Sequence, residues 1–155
     1  MVPVRKILFP TDFSECAEYA FRLACALAWD YGAELLVVHI VEHEDQKAYH
    51  AADGYQQKLE NQLRRLLPPE CGVPVDYCVA HGNPATEILR LAADNSCDLI
   101  VIGTHGRAGL NHLLRGSVAE QVVRKANCPV VTIKLPENSG NRNFKKHSDE
   151  RMEIR

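Results

Sequence analysis

The chain has 155 residues, of which 46% are hydrophobic and 25% are charged. This length predicts one domain, and this composition disfavours disorder, collagen-like repeats and coiled coils. Eighteen Lys and Arg residues against twenty Asp and Glu residues leave a formal charge of −2, so the overall charge indicates neither nucleic-acid binding nor attraction to an anionic membrane.

Short β-branched runs alternate with longer helical patterns along the chain. Five runs predict strands, at residues 4–9, 35–41, 73–80, 99–103 and 129–133. Their nearly continuous apolar content is typical of strands that are buried on both faces of a parallel sheet.

Helical patterns occupy the segments between these runs. In the first, apolar residues from Ala17 to Tyr31 recur at three- and four-residue steps, with Ser14 available as N-cap and Gly32 as the end. The second begins after Gln46 and ends at residues 68–69, which are both proline.

Two further helices have clear start signals. Asn83 followed by Pro84 predicts the N-terminus of a helix that runs to about Asn95. Ser117 and Glu120 have the spacing of a capping box, which predicts the start of the fourth helix.

This alternation predicts an α/β fold with a single five-stranded parallel sheet and helices on both faces, because crossovers between parallel strands are right-handed. We assign residues 1–135 to this domain. We expect residues 136–155 to form a charged, disordered tail, since nine of the twenty are charged and only Phe144, Met152 and Ile154 are large apolar residues.

The cysteines and the N-terminus bear on the cellular compartment in which we expect the protein. The six cysteines form no Cys-x-x-Cys pair and no His cluster accompanies them, so we expect small core residues and no metal site. The N-terminus does not resemble a signal peptide, and no apolar run approaches the roughly 18 residues of a membrane span. We therefore expect a cytoplasmic protein without membrane contact.

The connection after the fourth strand is rich in glycine and carries two arginines, Arg107 and Arg115. Glycines let a ligand approach the backbone closely, and the helix that follows presents unpaired N–H groups and a positive dipole end. The segment therefore favours a phosphate site. The alternative is a tight turn with a capped helix and two solvated arginines.

This connection matches neither common nucleotide motif. A P-loop needs a lysine after its last glycine, whereas Gly116 precedes Ser117, and the dinucleotide fingerprint follows the first strand rather than the fourth. No Asp, Glu or Gln lies between Thr104 and Gly116 to orient a water molecule. We do not expect efficient hydrolysis.

The glycine spacing does resemble one family. Gly103 and Gly106, followed after nine residues by Gly116 and Ser117, fit the Gly-x2-Gly-x9-Gly-Ser/Thr signature of the nucleotide-binding branch of the universal stress proteins. Residues 7–14, 39–41 and 126–131 also resemble that family, so the resemblance covers roughly residues 3–134.

The resemblance implies a Rossmann-like fold, similar to the adenine nucleotide alpha hydrolases, with ATP lying over the strand ends, with or without Mg. It implies no catalytic residue and no protein metal ligand. The implied nucleotide-binding residues are Pro10, Thr11, Asp12, Ile40, Gly103, Thr104, His105, Gly106, Arg107, Gly109, Arg115, Gly116, Ser117 and Val118. Ala119 departs from many nucleotide-binding relatives, which have a hydroxyl residue there.

Two of the polar residues also have a purely structural interpretation. Asp12 could begin a turn or cap the first helix, instead of accepting hydrogen bonds from adenine or ribose. His39 lies within a buried strand, so we interpret it as a hydrogen-bonded core histidine rather than a ligand.

The resemblance also implies that the last strand lies at the sheet edge, where an exposed apolar strand is usually paired or covered. We therefore expect a homodimer through that strand, no nucleic-acid partner, and a protein partner that the sequence does not identify. The expected function is a stress response through nucleotide-dependent conformation or partner binding. The alternatives are a slow ATPase or phosphotransferase, including autophosphorylation, that uses His105 or His112, and a nucleotide-free interaction module.

Overall fold

The structure, a computed structural model, describes residues 3–42, 54–66, 72–104 and 117–136. In these segments the strands are β1 (Lys6–Pro10), β2 (Glu34–Val41), β3 (Val75–His81), β4 (Leu99–Gly103) and β5 (Val130–Ile133). They form one five-stranded sheet in the order β3-β2-β1-β4-β5, and neighbouring strands are parallel. The predicted α/β fold is confirmed.

Four helices connect the described strands: α1 (Glu15–Tyr31), α2 (Tyr55–Arg65), α3 (Pro84–Asp94) and α4 (Val118–Lys125). The predicted start of α2 after Gln46 and its predicted end at residues 68–69 lie outside the described residues. So does the predicted tail, apart from Pro136.

The predicted helix caps are present. Gly32, directly after α1, has a φ of 63°, a left-handed conformation that glycine adopts without strain. At three N-termini a capping side chain accepts a backbone N–H: Ser14 from Ala17 at 3.2 Å, Asn83 from Thr86 at 3.1 Å and Ser117 from Glu120 at 3.1 Å. Each removes one of the unsatisfied donors of a helix start.

Strand bounds differ from the prediction by one or two residues. β1 begins at Lys6 rather than residue 4, because Lys6 aligns with Glu34, the first residue of β2. It extends to Pro10, which aligns with Val38. Pairing between strands decides these ends, and a single strand's composition does not contain that information.

The sheet is covered on both faces, as predicted. On one face, Phe9 and Val101 pack with Phe21 of α1 and Leu63 of α2. On the other face, Ile100 and its neighbours pack with α3 and α4. Tyr31 is an exception to the predicted buried face of α1, because it is 56% exposed at the last residue of the helix, where the chain turns at Gly32 toward β2.

The central strands of the sheet are more deeply buried than its edge strands. β1 and β4 are buried along almost their whole length. β3 and β5 are partly exposed, because in the sheet of the described residues each has a neighbouring strand on one side only. The expectation of strands buried on both faces therefore holds for the centre of the sheet and not for its edges.

The amino ends of β1 and β4 are joined by Asp98. Its Oδ2 accepts hydrogen bonds from the backbone N–H groups of Arg5 at 2.8 Å and Lys6 at 3.1 Å. The backbone N–H of Asp98 donates in turn to the carbonyl oxygen of Lys6 at 2.8 Å. These bonds align the two strands that lead toward the opposite, carboxyl edge of the sheet.

Candidate functional site

The strand order reverses between β1 and β4. The chain leaves β1 toward α1 and β2 on one side, whereas β4 leads to α4 and β5 on the other. Connections that diverge in this way leave a crevice beyond the carboxyl ends of the two strands, which is where open α/β sheets bind ligands. Residues 11–14 and residue 104 follow these two ends.

The loop after β1 is held by its own hydrogen bonds. Buried Thr11 donates its N–H to the carbonyl oxygen of Val38 at 2.9 Å, and its Oγ1 accepts from the N–H of Phe13 at 3.0 Å. Asp12 Oδ1 accepts from the N–H of Ser14 at 3.0 Å. Asp12 thus begins a turn, as one of its two interpretations predicted, while its contact with a nucleotide stays a prediction.

His39 lies beneath this loop on β2. Its Nδ1 is 2.8 Å from the carbonyl oxygen of Thr11, and its ring lies 4.5 Å from the ring of Phe13, centroid to centroid. The prediction of a hydrogen-bonded structural histidine is confirmed, although His39 is half-buried rather than fully buried. Phe13 has a φ of 62°, and no sequence signal identified this left-handed residue.

Ile40 belongs to the opposite face of β2. It is 9% exposed and lies in the cluster formed with α3 and α4. His39 and Ile40 therefore belong to opposite faces of the sheet, as adjacent strand residues must. The structure gives Ile40 a role in the core, and its packing on an adenine base stays a prediction.

Gly103, the last residue of β4, packs against the start of α1. A Cβ placed on Gly103 would lie 3.0 Å from Sγ and 3.4 Å from the carbonyl oxygen of Cys16. A side chain at Gly103 would therefore crowd the start of α1, independently of any ligand. The sequence predicts Cys16 only as a core residue and carries no signal for its contact with Gly103.

Thr104 continues from β4 toward the segment that the structure does not describe. Its backbone N–H donates to the carbonyl oxygen of Ile133 at 2.8 Å, and its Oγ1–H donates to the same oxygen at 3.2 Å. Cys16 Sγ is 3.5 Å from that oxygen. The ends of β4 and β5 and the start of α1 thus meet at Ile133.

The start of α4 belongs to the same edge of the sheet. α4 runs from the carboxyl end of β4 back to the amino end, where β5 begins, so its N-terminus faces the carboxyl edge. Ser117 caps this helix, Val118 is half-buried, and Ala119 is buried at 6% exposure in the core cluster of this face. The helix dipole makes such an N-terminus favourable for anions.

The structure therefore brings part of the predicted site to one edge. The described members are Pro10, Thr11, Asp12, Ile40, Gly103, Thr104, Ser117 and Val118. The remaining predicted members lie outside the described residues: His105, Gly106, Arg107, Gly109, Arg115 and Gly116.

A small cavity of about 150 Å³ lies at the opposite end of the sheet. α3, β4 and the end of α4 line it, together with Cys97 and Cys128. Burial raises the pKa of the Cys97 thiol to about 11, and burial also raises the pKa of Cys128. Both thiols are thus protonated at neutral pH, and this cavity is unrelated to the carboxyl edge.

Two kinds of feature are absent from the segments that the structure describes. There, no three His, Cys, Asp or Glu side chains are grouped as a metal site would need. The helices of those segments also include none with the length and apolar character to cross a bilayer.

Residues 3–134 match the model of the universal stress protein family. The universal stress protein MJ0577 of Methanocaldococcus jannaschii is 30% identical over 156 residues, which covers 86% of this chain and 96% of that protein. A universal stress protein of Thermus aquaticus is 34% identical over 137 residues, covering 84% of this chain and 98% of the relative.

Solved structures agree with these relationships. The structure of MJ0577 superposes with a TM-score of 0.77, covering 87% of this chain and 99% of that chain. The universal stress protein from Archaeoglobus fulgidus in complex with dAMP is 25% identical and superposes with a TM-score of 0.57, covering 86% of this chain and 100% of that chain. On this evidence, the chain belongs to the universal stress protein family.

Proposed function

We propose that this protein is a cytoplasmic, ATP-binding universal stress protein that acts through nucleotide-dependent conformation or partner binding. The observation that carries the proposal is the reversal of strand order between β1 and β4, because the loop 11–14, Thr104 and the N-terminus of α4 all lie at the carboxyl edge of these strands. Slow hydrolysis or autophosphorylation is compatible with this function, but it is not required for it.

The loop after β1 supports a nucleoside subsite. Its backbone is fixed by the bond from Thr11 to Val38 and by the turn that Asp12 makes with Ser14. A fixed loop reduces the ordering entropy that binding would otherwise cost. In the proposed complex, Asp12 accepts hydrogen bonds from adenine or ribose, and Ile40 packs on the base.

The start of α4 supports a phosphate subsite. The helix presents N-terminal amides at an edge where the glycine-rich connection ends, and such amides attract anions. Ser117 supplies a hydroxyl in addition, and an oxygen of this kind suits Mg as well as phosphate. In the proposed complex, Gly116 to Val118 hold the outer phosphates, with Arg107 and Arg115 nearby.

The ligand of a relative supports the choice of an adenine nucleotide. The Archaeoglobus fulgidus protein described above was solved with dAMP bound. That protein and this chain share the family and the fold, so the same class of ligand is the natural first test here.

The direct test is calorimetric titration of the full chain with AMP, ADP and ATP, each with and without Mg. Heat of binding for at least one nucleotide is expected. An absence of heat up to millimolar nucleotide would contradict the proposal. Mass spectrometry of the freshly purified, denatured protein detects any nucleotide that was retained, which would argue against a nucleotide-free interaction module.

A matched pair of variants localises the site. Gly116→Val places a β-branched side chain where the phosphates are proposed to pass and is expected to abolish binding. Arg124→Ala changes a side chain that is 73% exposed on α4 and forms an ion pair with Glu120. This variant is expected to bind nucleotide as the wild type does.

We also propose a homodimer through β5. This strand lies at the end of the strand order, so one of its edges has no neighbouring strand among the residues that the structure describes. An open cleft of about 490 Å³ runs beside it, lined by residues 132–134 and by Tyr19, Arg22, Leu23 and Ala26 of α1. Two-fold pairing would cover both the edge and the cleft, as sheet edges usually require.

A further inference from the structure

We propose that His39 is a positioning residue for the nucleotide site, acting through the loop that carries Asp12. The inference rests on the proposed nucleotide binding and names a residue outside the predicted set. His39 itself is not proposed to touch the ligand. Its contacts are with Thr11 and Phe13, which lie on either side of Asp12 in the chain.

The direction of the hydrogen bond follows from chemistry. Nδ1 of His39 lies 2.8 Å from the carbonyl oxygen of Thr11. A carbonyl oxygen only accepts, so the imidazole must carry its hydrogen on Nδ1 and donate it. This bond fixes the orientation of the peptide group between Thr11 and Asp12.

The ring contact acts on the other side of Asp12. Phe13 has a φ of 62°, a left-handed conformation that is sterically unfavourable for a residue with a side chain. Its ring packs at 4.5 Å from the imidazole, at an interplanar angle of 43°. Packing of this kind compensates for the backbone strain, so His39 stabilises the loop on both sides of Asp12.

Two further bonds of the loop are local, since they join Phe13 to Thr11 and Ser14 to Asp12. They shape the turn but do not attach it to the sheet. Attachment to β2 comes from the Thr11 N–H bond to Val38 and from His39. Loss of His39 therefore removes one of these two attachments and loosens the position of the turn, with Asp12, relative to β2.

The test compares three substitutions. His39→Asn places an amide N–H close to the position of Nδ1, His39→Gln places one close to that of Nε2, and His39→Leu removes the donor. We expect His39→Asn to keep the nucleotide dissociation constant within about threefold of wild type. The other two variants are expected to weaken binding about tenfold or more, since one lost hydrogen bond has that order of effect.

Two readouts separate positioning from general stability. Long-range ¹H–¹⁵N spectra of the free wild-type protein should show the hydrogen of His39 on Nδ1. Asp98→Ala, which weakens the opposite end of the sheet, serves as the stability control and is expected to bind nucleotide as wild type does.

The outcomes are distinct. Unchanged binding by His39→Leu, equal weakening in all three variants, or a hydrogen on Nε2 alone would overturn the role of His39. Equal weakening in Asp98→Ala would assign the effect to stability and also overturn it. Absence of nucleotide binding by the wild type would overturn the proposed function, and the positioning role with it.

Discussion

A Cβ placed on Gly103 would lie 3.0 Å from Sγ of Cys16, which is tighter than nine in ten real contacts of this kind. The two residues are far apart in sequence and join the end of β4 to the start of α1. Since Cys16 is 2% exposed, its side chain has little space into which to move. The end of β4 therefore packs directly against the start of α1.

Gly103→Ala is expected to destabilise the protein by about 1–3 kcal/mol, the usual cost of overpacking a core. In the background of Cys16→Ala the same change should cost less, because the nearest atom has been removed. Urea unfolding of the four proteins of this double-mutant cycle measures the coupling, which we expect to exceed about 0.5 kcal/mol. Additive effects would show that the contact is not strained.

Ser117→Asp distinguishes the role of Ser117 as a helix cap from its proposed role in phosphate binding. Asp is as good an N-cap as Ser, so the free energy of unfolding should change little. Its carboxylate would repel a phosphate at the same position, and we expect nucleotide affinity to fall about tenfold or more. Calorimetry and urea unfolding of the same sample measure both effects.

The control is Asn83→Asp, which adds the same charge at the N-cap of α3. Asn83 caps a helix beside β3, outside the proposed site. Nucleotide affinity equal to wild type is expected for this variant. If both variants weakened binding equally, the effect would reflect net charge and not a phosphate at Ser117.

Thr132→Pro should separate the homodimer without unfolding the subunit. Pro129 and Ile133 direct their carbonyl oxygens toward β4, accepting from Ile100 at 3.0 Å and Thr104 at 2.8 Å. Because bonding directions alternate along a strand, the N–H of Thr132 points to the free edge. Proline is tolerated where the missing N–H faces away from the sheet.

Light scattering at micromolar concentration measures this prediction. We expect wild type and Thr132→Ala to be dimers and Thr132→Pro to be a monomer with a circular dichroism spectrum like that of wild type. A monomeric wild type would contradict the proposed dimer, and a dimeric Thr132→Pro would place the interface elsewhere.

Asp98→Ala is expected to lower the free energy of unfolding by about 1–3 kcal/mol, because the N–H groups of Arg5 and Lys6 would lose their shared acceptor. Asp94→Ala is the matched control. Asp94 is 57% exposed and pairs with Arg90 four residues before it, so its loss should cost less than about 0.5 kcal/mol. Equal effects in urea unfolding would contradict the role of Asp98.

The raised pKa of Cys97 predicts slow alkylation. With a folded pKa of about 11 against an ordinary value of 9.0, its thiol is almost wholly protonated at pH 8. Mass spectrometry after brief iodoacetamide treatment should find Cys97 much less modified in the native protein than in urea. Equal modification in both states would contradict the burial that raises the pKa.

The same shift predicts how stability depends on pH. The unfolded thiol ionises near pH 9 and the folded thiol near 11, so the stabilisation that comes from the neutral thiol is fully present below pH 9. It is lost as the pH rises from 9 through 11. Cys97→Ala should show a smaller decrease in unfolding free energy over that interval.

The sequence by itself determined the alternation of strands and helices and most helix ends. Ser14, Gly32, Asn83 and Ser117 act on backbone groups within a few residues of themselves, so local sequence is enough to identify them. The spacing of the glycines after β4 was likewise sufficient to recognise the family that residues 3–134 match.

Tertiary structure alone decided which distant residues meet around the crevice. Cys16 excludes a side chain at Gly103, His39 holds the loop at Thr11, and both contacts depend on packing between elements that are remote in the chain. Exposure of β3 and β5 also follows from their place in the strand order and not from their composition. Local patterns report local hydrogen bonds, whereas these contacts exist only once the sheet has been assembled.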